Sequence, residues 1–201
     1  MKLINHFYLI RHGETDWNKW KKLQGHTDIP LNKQGVIQAD QVAKRLSTLP
    51  LQLICSSDLL RARQTAEQVS RYHINVPFIQ VHDFRERNYG QWEGLDYEEI
   101  RKNYPDYEPG QHVGGKYGIE TLEAMQDRAV NKLKDLSQRY PNSHIAVISH
   151  GGLINALLLL FSDGTFGTGK TKLSNTAFNH ISFQHGKWTV HTVNDSTHLE
   201  Q

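Results

Sequence analysis

The stretch that decides the fold lies near the start of the chain and reads His6-Phe7-Tyr8-Leu9-Ile10-Arg11-His12-Gly13-Glu14. Its first five residues are largely apolar and aromatic, which predicts a buried β-strand. The strand ends at a cation, an imidazole and a glycine, a combination that favours an anion at its tip. Arg11 carries a planar set of donors suited to phosphate, His12 is a nitrogen nucleophile, and Gly13 allows close backbone approach to a ligand. The pattern indicates phosphoryl transfer to histidine.

The chain is 201 residues long, which indicates one domain with a sizeable core. We therefore expect a single domain over residues 1–201. The net charge of +2 with neutral histidines is too balanced to favour a nucleic-acid partner. The cluster of Lys19, Lys21 and Lys22 is either a solvated surface patch or a feature that steers an anionic substrate.

The cysteine content and the length of the apolar runs predict the cellular compartment of the protein. The single cysteine, Cys55, excludes a disulfide within the chain and suits a reducing cytoplasm. Because it lies in the apolar run 51–55, we expect a buried thiol. The N-terminus lacks a secretory pattern, and the longest apolar stretch, 153–161, is too short to span a bilayer. We expect a cytoplasmic protein with no membrane partner.

Strand-like and helix-like runs alternate along the chain. The predicted strands cover about 6–10, 51–55, 78–82 and 144–148, and the helices about 33–48, 58–72, 120–139 and 152–161. Asn32 is a candidate N-cap for the first helix, and Asp58 lies near the start of the second. Residues 177–183 and 187–191 predict a hairpin that turns near Gly186. This alternation predicts an α/β fold, a three-layer α/β/α sandwich with a mainly parallel central sheet.

Unusual polar residues follow each of the four predicted parallel strands. Ligands of such sheets bind beyond the carboxyl ends of the strands, which meet at one edge. The residues concerned are Arg11 and His12, then Arg61, then Arg85 and Glu86, then Ser149, His150 and Gly151. Taken singly, each has an ordinary interpretation as a surface group or a member of an ion pair. Their convergence at one edge favours a shared site.

These residue types support attack on a phosphoryl group. His12 must be unprotonated to act as the nucleophile, and the charges of Arg11 and Arg61 favour its neutral form while they hold the phosphoryl oxygens. His150 is a candidate second donor, followed by a Gly-Gly pair that opens a helix where free N–H groups attract anions. Glu86 is a candidate proton donor to the leaving oxygen, and its carboxylate could then deprotonate a water molecule.

A long excursion at about 90–118 interrupts the alternation, because it is rich in glycine, proline and aromatic residues. It predicts a short helix inside a loop that is either a lid over the substrate or a surface elaboration. As a lid it would line the pocket with Trp92, Tyr97, Tyr107 and His112.

Several blocks fall in a characteristic order along the chain. They are Leu9 to Thr15 with Trp17-Asn18, Gln24-Gly25 with Asp28, Pro30 and Leu31, Ser57 to Leu59 with Arg61 to Ala66, Arg85-Glu86 with Tyr89-Gly90 and Glu93-Gly94, Ser149 to Gly152, and Asn175-Thr176. In these blocks the sequence resembles the histidine phosphatase superfamily, also called the phosphoglycerate mutase-like family.

The resemblance implies a phosphohistidine intermediate on His12. It implies a phosphate pocket of Arg11, Arg61 and His150, with Glu86 as general acid and base. Further substrate contacts are expected from Asn18, Gln24, Gly25 and Gly151. No metal or other cofactor is implied, and the substrate is a small phosphorylated metabolite.

The resemblance leaves the reaction open between phosphatase and mutase. Cofactor-dependent mutases of the family carry an inserted segment after the acid block, whereas only 63 residues separate Glu86 from His150 here. The run from Tyr89 to Gly94 resembles the small phosphatase branch, which includes broad-specificity and α-ribazole phosphatases. We therefore predict a phosphatase, with a phosphoglycerate mutase as the first alternative. A module that binds phosphorylated ligands without turnover is the second, and a monomer and a homodimer are equally open.

Overall fold

The computed structural model describes residues 3–104 and 114–200. The strands are β1 Asn5–Arg11, β2 Leu53–Ser56, β3 Phe78–Gln80, β4 His144–Ser149, β5 Phe178–Gln184 and β6 Lys187–Asp195. The helices are α1 Asp16–Lys19, α2 Lys33–Leu46, α3 Leu60–Arg71, α4 Tyr97–Asn103, α5 Leu122–Arg139 and α6 Gly151–Phe161. Short 3₁₀ turns cover His82–Phe84, Gly90–Trp92 and Thr197–Leu199.

The strands form one six-stranded sheet in the order β3-β2-β4-β1-β5-β6. Neighbours among β3, β2, β4 and β1 run parallel, whereas β5 pairs antiparallel with both β1 and β6. The carboxyl ends of the four parallel strands therefore meet at one edge, as the order of elements predicted.

Helices cover both faces of the sheet, which explains why β1 reads as a continuous apolar run rather than an alternating one. Phe7 and Leu9 pack into a core shared with α5 and α6. Tyr8 and Ile10 pack into a second core with α2 and α3. Cys55 is fully buried in the first core, as expected. The predicted three-layer α/β/α architecture is confirmed.

The predicted C-terminal hairpin is also confirmed. Gln184 pairs with Lys187 across a two-residue turn. Both turn residues, His185 and Gly186, have positive φ, 50° and 78°. That conformation matches the twist of the flanking strands.

Element boundaries differ from the prediction by a few residues, for local reasons. Asn32 caps α2 as expected, its side chain accepting from Gly35 N–H at 2.8 Å. β2 begins at Leu53 instead of Leu51 because the Leu51 N–H turns back to Leu49 O. Asp58 does not cap α3; its carboxylate forms a bidentate ion pair with Arg85 at 2.7 Å.

The described part of the excursion after β3 packs around a small core of its own. Its short helix, α4, begins at Tyr97 and is capped by Asp96. Trp92, only 5% exposed, packs with Ile100 and Ile119. The expectation that Trp92 lines the substrate pocket is therefore wrong. Tyr97 lies in a separate surface groove beside Trp20, and Tyr107 and His112 lie outside the described residues.

Within residues 3–104 and 114–200, no helix combines the length and apolar composition needed to cross a bilayer.

Candidate active site

A cleft of about 500 Å³ opens at the carboxyl edge of the parallel strands. Its lining residues are Arg11, His12, Asn18, Lys22, Leu23, Gln24, Gly25, Arg61, Glu86, Tyr89, Gly151, Gly152, Asn155 and residues 169–173. All but one of the residues predicted for catalysis or substrate binding are in this set. The exception is His150, which is fully buried and is not among the lining residues.

His12 is held as a neutral imidazole with one nitrogen free. Its Nδ1 lies 2.7 Å from Gly13 O, and because a carbonyl only accepts, Nδ1 carries the proton. The Nε2 lone pair is then available for attack. Burial, followed by the charges of Arg61 and Arg11, lowers the pKa of His12 well below its usual value. The geometry therefore favours the form that a nucleophile requires.

The ring of His150 lies beside that of His12, with the ring centroids 5.2 Å apart. His150 is the residue before α6, and neither of its ring nitrogens has a hydrogen-bond partner in the described part of the chain. Burial, with Arg61 next, lowers its pKa well below the usual value. A buried imidazole without partners is costly, and a bound anion could supply one.

Two arginines place positive charge at the deep end of the cleft. Arg61, in the first turn of α3, is completely buried and donates to the carbonyls of Thr27 and Gly25 at 2.9 and 2.8 Å. Burial lowers its pKa to about 10, so it stays charged at neutral pH. Arg11 donates to Leu173 O at 2.6 Å. The Nε atoms of both are buried without partners among the described residues.

Glu86 faces the cleft as an oriented carboxylate. Its oxygens accept from the N–H groups of Gly152, Leu153 and Arg87 at 2.9–3.0 Å. The first two belong to the opening turn of α6, where the helix dipole favours an anion. A Cβ on Gly152 would lie 2.4 Å from Glu86 Oε1. Glycine is therefore required there to let the carboxylate reach the helix.

Asn18 and Gln24 present amide groups to the cleft. Thr15 Oγ1 lies 3.1 Å from Asn18 Oδ1 and 3.0 Å from Gln24 Oε1. Asn175 Nδ2 also donates to Asn18 Oδ1, at 3.3 Å. With the amide oxygens engaged in this way, the NH₂ groups remain as donors for a ligand.

Sequence reasoning missed the residues that support the site from behind. Arg128 on α5 donates to the backbone carbonyls of Asp83, Arg85 and Glu86, and to the Glu120 carboxylate. It thereby fixes the segment that carries Glu86. No local signal marked Arg128, since the backbone carbonyls that it holds lie more than forty positions away.

Glu93 fixes the loop whose carbonyls contact Arg61. Its carboxylate accepts from the N–H groups of His26, Thr27 and Tyr89 and from the Thr27 hydroxyl. The loop so fixed supplies the Gly25 and Thr27 carbonyls that hold Arg61.

The prediction for Gly13 was wrong in its reason. A Cβ there would lie 2.4 Å from Gly35 O, so the glycine permits close packing against α2 rather than approach to a ligand. Gly25 instead needs its glycine for both a φ of +51° and the contact with Glu93.

Within residues 3–104 and 114–200, no group of three or more His, Cys, Asp or Glu side chains is arranged to hold a metal ion.

Comparisons with known proteins agree with this geometry. The sequence model of the histidine phosphatase superfamily (branch 1) matches residues 7–196. Over 192 residues, 95% of each chain, the protein is 39% identical to the uncharacterized phosphatase PhoE of Bacillus subtilis (strain 168). It is also 31% identical over 206 residues to the probable phosphoglycerate mutase GpmB of Proteus mirabilis (strain HI4320). This alignment covers 96% of the chain described here and 94% of GpmB.

Among solved structures, YhfR of Bacillus stearothermophilus superposes with a TM-score of 0.88 at 28% identity, covering 97% of this chain and 99% of that one. The range matched by the family model, 7–196, includes every residue that lines the cleft. The chain therefore belongs to the histidine phosphatase superfamily, branch 1.

Proposed function

We propose that this protein is a metal-independent phosphomonoester hydrolase that acts through a phosphohistidine on His12. One observation carries the proposal: a neutral imidazole with a free Nε2 shares a cleft with two arginines and an oriented carboxylate. A site that only bound phosphate would need the arginines alone. The nucleophile and Glu86 are the groups that turnover requires.

The first half-reaction transfers the phosphoryl group to the enzyme. The Nε2 lone pair of His12 forms a bond to phosphorus as the bond from phosphorus to the ester oxygen breaks. Arg11 and Arg61 stabilise the charge on the equatorial oxygens. Glu86, in its protonated form, gives its proton to the leaving oxygen and becomes the carboxylate that the N–H groups of α6 stabilise, and an alcohol departs.

The second half-reaction regenerates the enzyme. The Glu86 carboxylate takes a proton from a water molecule, whose oxygen attacks the phosphorus of the phosphohistidine. The bond between Nε2 and phosphorus breaks, inorganic phosphate leaves, and Glu86 is again protonated. His12 is phosphorylated after the first half-reaction, and the second returns it to its free, neutral form.

The test is to trap the intermediate. The protein, treated with EDTA, should release phosphate from p-nitrophenyl phosphate and, with ³²P-labelled substrate, give a protein-bound label that survives base and is lost in acid. His12→Ala should abolish both signals. Label retained in that variant, or activity restored only by added metal, would contradict the proposal.

A mutase is the second candidate, favoured by the similarity to GpmB. Isomerisation of 3-phosphoglycerate in the presence of 2,3-bisphosphoglycerate distinguishes the two reactions. We expect phosphate release to dominate, and fast isomerisation with little release would establish the mutase.

The substrate, partners and compartment remain predictions. They are a small phosphorylated metabolite, independence of nucleic acid and membranes, a cytoplasmic location, and a monomer or homodimer as a single domain.

A further inference from the structure

Three lysines line the cleft together with the catalytic candidates, and we call them the mouth lysines: Lys22, Lys170 and Lys172. The first follows α1, and the other two lie in the segment after α6. None forms an ion pair within the described ranges. The ammonium groups of Lys22 and Lys170 donate only to the carbonyls of Gly94 and Gly164, which carry no charge. Lys172 is exposed and makes no hydrogen bond in the same part of the chain.

The cleft carries more positive charge than binding of a phosphoryl group requires. At the deep end, the acidic groups of Glu86, Asp28 and Glu93 interact with Arg61 and offset its charge. Of the described residues that line the cleft, Glu86 is the only carboxylate. Arg11 and Arg61 already face the phosphoryl position, so the charge of the mouth lysines is left for another part of the substrate.

The segment that carries Lys170 and Lys172 is held in place by the site itself. Asn155 Nδ2 donates to Thr171 O at 3.0 Å, and Gly167 N–H donates to the Thr171 hydroxyl at 3.0 Å. Immediately after Lys172, Leu173 O accepts from Arg11 at 2.6 Å. Lys172 thus lies between two anchored residues, one of them bound to the arginine of the phosphate site.

Residues 164–171 also match the spacing of a nucleotide-binding P-loop, Gly-x₄-Gly-Lys-Thr. The context differs, because this segment follows a helix instead of a strand. Its N–H groups are used internally: those of Lys170 and Thr171 both donate to Gly167 O. They cannot cradle a nucleotide phosphate as a P-loop does.

We propose that Lys172, assisted by Lys170 and Lys22, forms a second anion subsite. It would select phosphomonoesters whose leaving group carries a further anion, a carboxylate or a second phosphate. The cleft volume of about 500 Å³ is sufficient for such an organic leaving group. This inference rests on the proposed function and specifies its substrate class.

The test compares substrates that differ only in the second anion. 3-Phosphoglycerate and glycerol 3-phosphate differ by a carboxylate in place of a hydroxymethyl group. Fructose 1,6-bisphosphate and fructose 6-phosphate differ by the second phosphate. We expect kcat/KM to be higher for the substrate with the second anion in at least one pair. The pair that shows this preference identifies whether the subsite binds a carboxylate or a phosphate.

Lysine variants then test which residues cause the preference for a second anion. Lys172→Met should reduce the preference about fivefold, the upper end of what an exposed charge pair contributes, and Lys170→Met/Lys172→Met should reduce it further. Lys172→Arg should retain most of it. The control is Lys187→Met, an exposed lysine in the C-terminal hairpin, which should leave every ratio unchanged. An unchanged ratio in Lys172→Met, or no preference in the wild type, would overturn the inference.

Failure of the proposed function would be seen separately. If p-nitrophenyl phosphate is not hydrolysed, the phosphatase assignment fails, whatever the mouth lysines do. Calorimetric binding of 3-phosphoglycerate and glycerol 3-phosphate to His12→Ala still tests the subsite. Equal affinities in that background would refute it.

Discussion

The same two neighbouring strands carry a pair of histidines at each end. At the amino ends, His6 on β1 stacks on His144 on β4, with ring centroids 4.6 Å apart. Beyond the carboxyl ends, His12 and His150 lie 5.2 Å apart. Burial is the largest cause of a lowered pKa in all four. A lowered pKa alone therefore does not distinguish the candidate site from ordinary packing.

What separates the two pairs is how their nitrogens are satisfied. At the amino ends, His6 Nδ1 lies 2.9 Å from His180 Nε2, and His144 Nδ1 lies 2.7 Å from the Tyr8 hydroxyl. At the carboxyl ends, His150 has no partner within the described residues, and arginine charge surrounds both rings. Unmet hydrogen bonds beside concentrated positive charge are what mark an anion site.

The largest expected effect comes from removing one ring at each end. His12→Ala should lower kcat for p-nitrophenyl phosphate by roughly 10³-fold or more, because the nucleophile is lost. His6→Ala should leave kcat unchanged, since that ring contacts His144 and His180 at the end of the strands opposite to the cleft. Steady-state assays on both variants, with circular dichroism to verify folding, check this. Equal losses would mean that the two ends do not differ as proposed.

The next effect concerns the charge beside the carboxyl-end pair. Arg61→Met should weaken inhibition by inorganic phosphate by about 10- to 100-fold, the value of a charged hydrogen bond or two. Arg61 also lowers the pKa of His12, so its removal should raise that pKa and move the acidic limb of the pH–rate profile to higher pH. Inhibition constants and pH profiles measure both. A profile that moves to lower pH would contradict the electrostatic role.

A third prediction concerns a bound dianion. Sulfate, which stays a dianion across the range, should raise the pKa of His12 and His150 because an opposite charge favours the protonated form. His6 and His144, at the other end of β1 and β4, should not respond. NMR titration of the imidazole Hε1 protons with and without sulfate follows all four. Parallel shifts at both ends would show a general salt effect rather than a site.

The carboxyl-end site was predictable because its position depends on element order alone. Once β1, β2, β3 and β4 were predicted parallel, the residues that follow them had to meet at one edge. That argument needs no side-chain contact. It placed Arg11, His12, Arg61 and Glu86 in one cleft, as the structure does.

The parts that could not be predicted depend on contacts between distant segments. Arg128 holds the Glu86 segment through carbonyls that no sequence pattern marks. Lys172 lines the cleft only because Asn155 and Arg11 direct the path of the chain after α6. Trp92 was misplaced for the same reason: its partners, Ile100 and Ile119, lie further along the chain and contact it only in the folded protein.

The smallest expected effect is on the stability of the protein in acid, and it concerns His180, which contacts the amino-end pair. Burial lowers the pKa of His180, which bonds to His6, from 6.5 to about 4. The unfolded chain then binds protons more readily than the folded one, so stability is complete above about pH 6.5 and falls as the pH drops towards 4. His180→Phe removes one such group, and the urea midpoint should fall less steeply over this window. The difference should be about 1 kcal/mol or less, because the ring is partly exposed and screened. An unchanged slope would mean that the His180 ring is protonated as easily in the folded protein as in the unfolded chain.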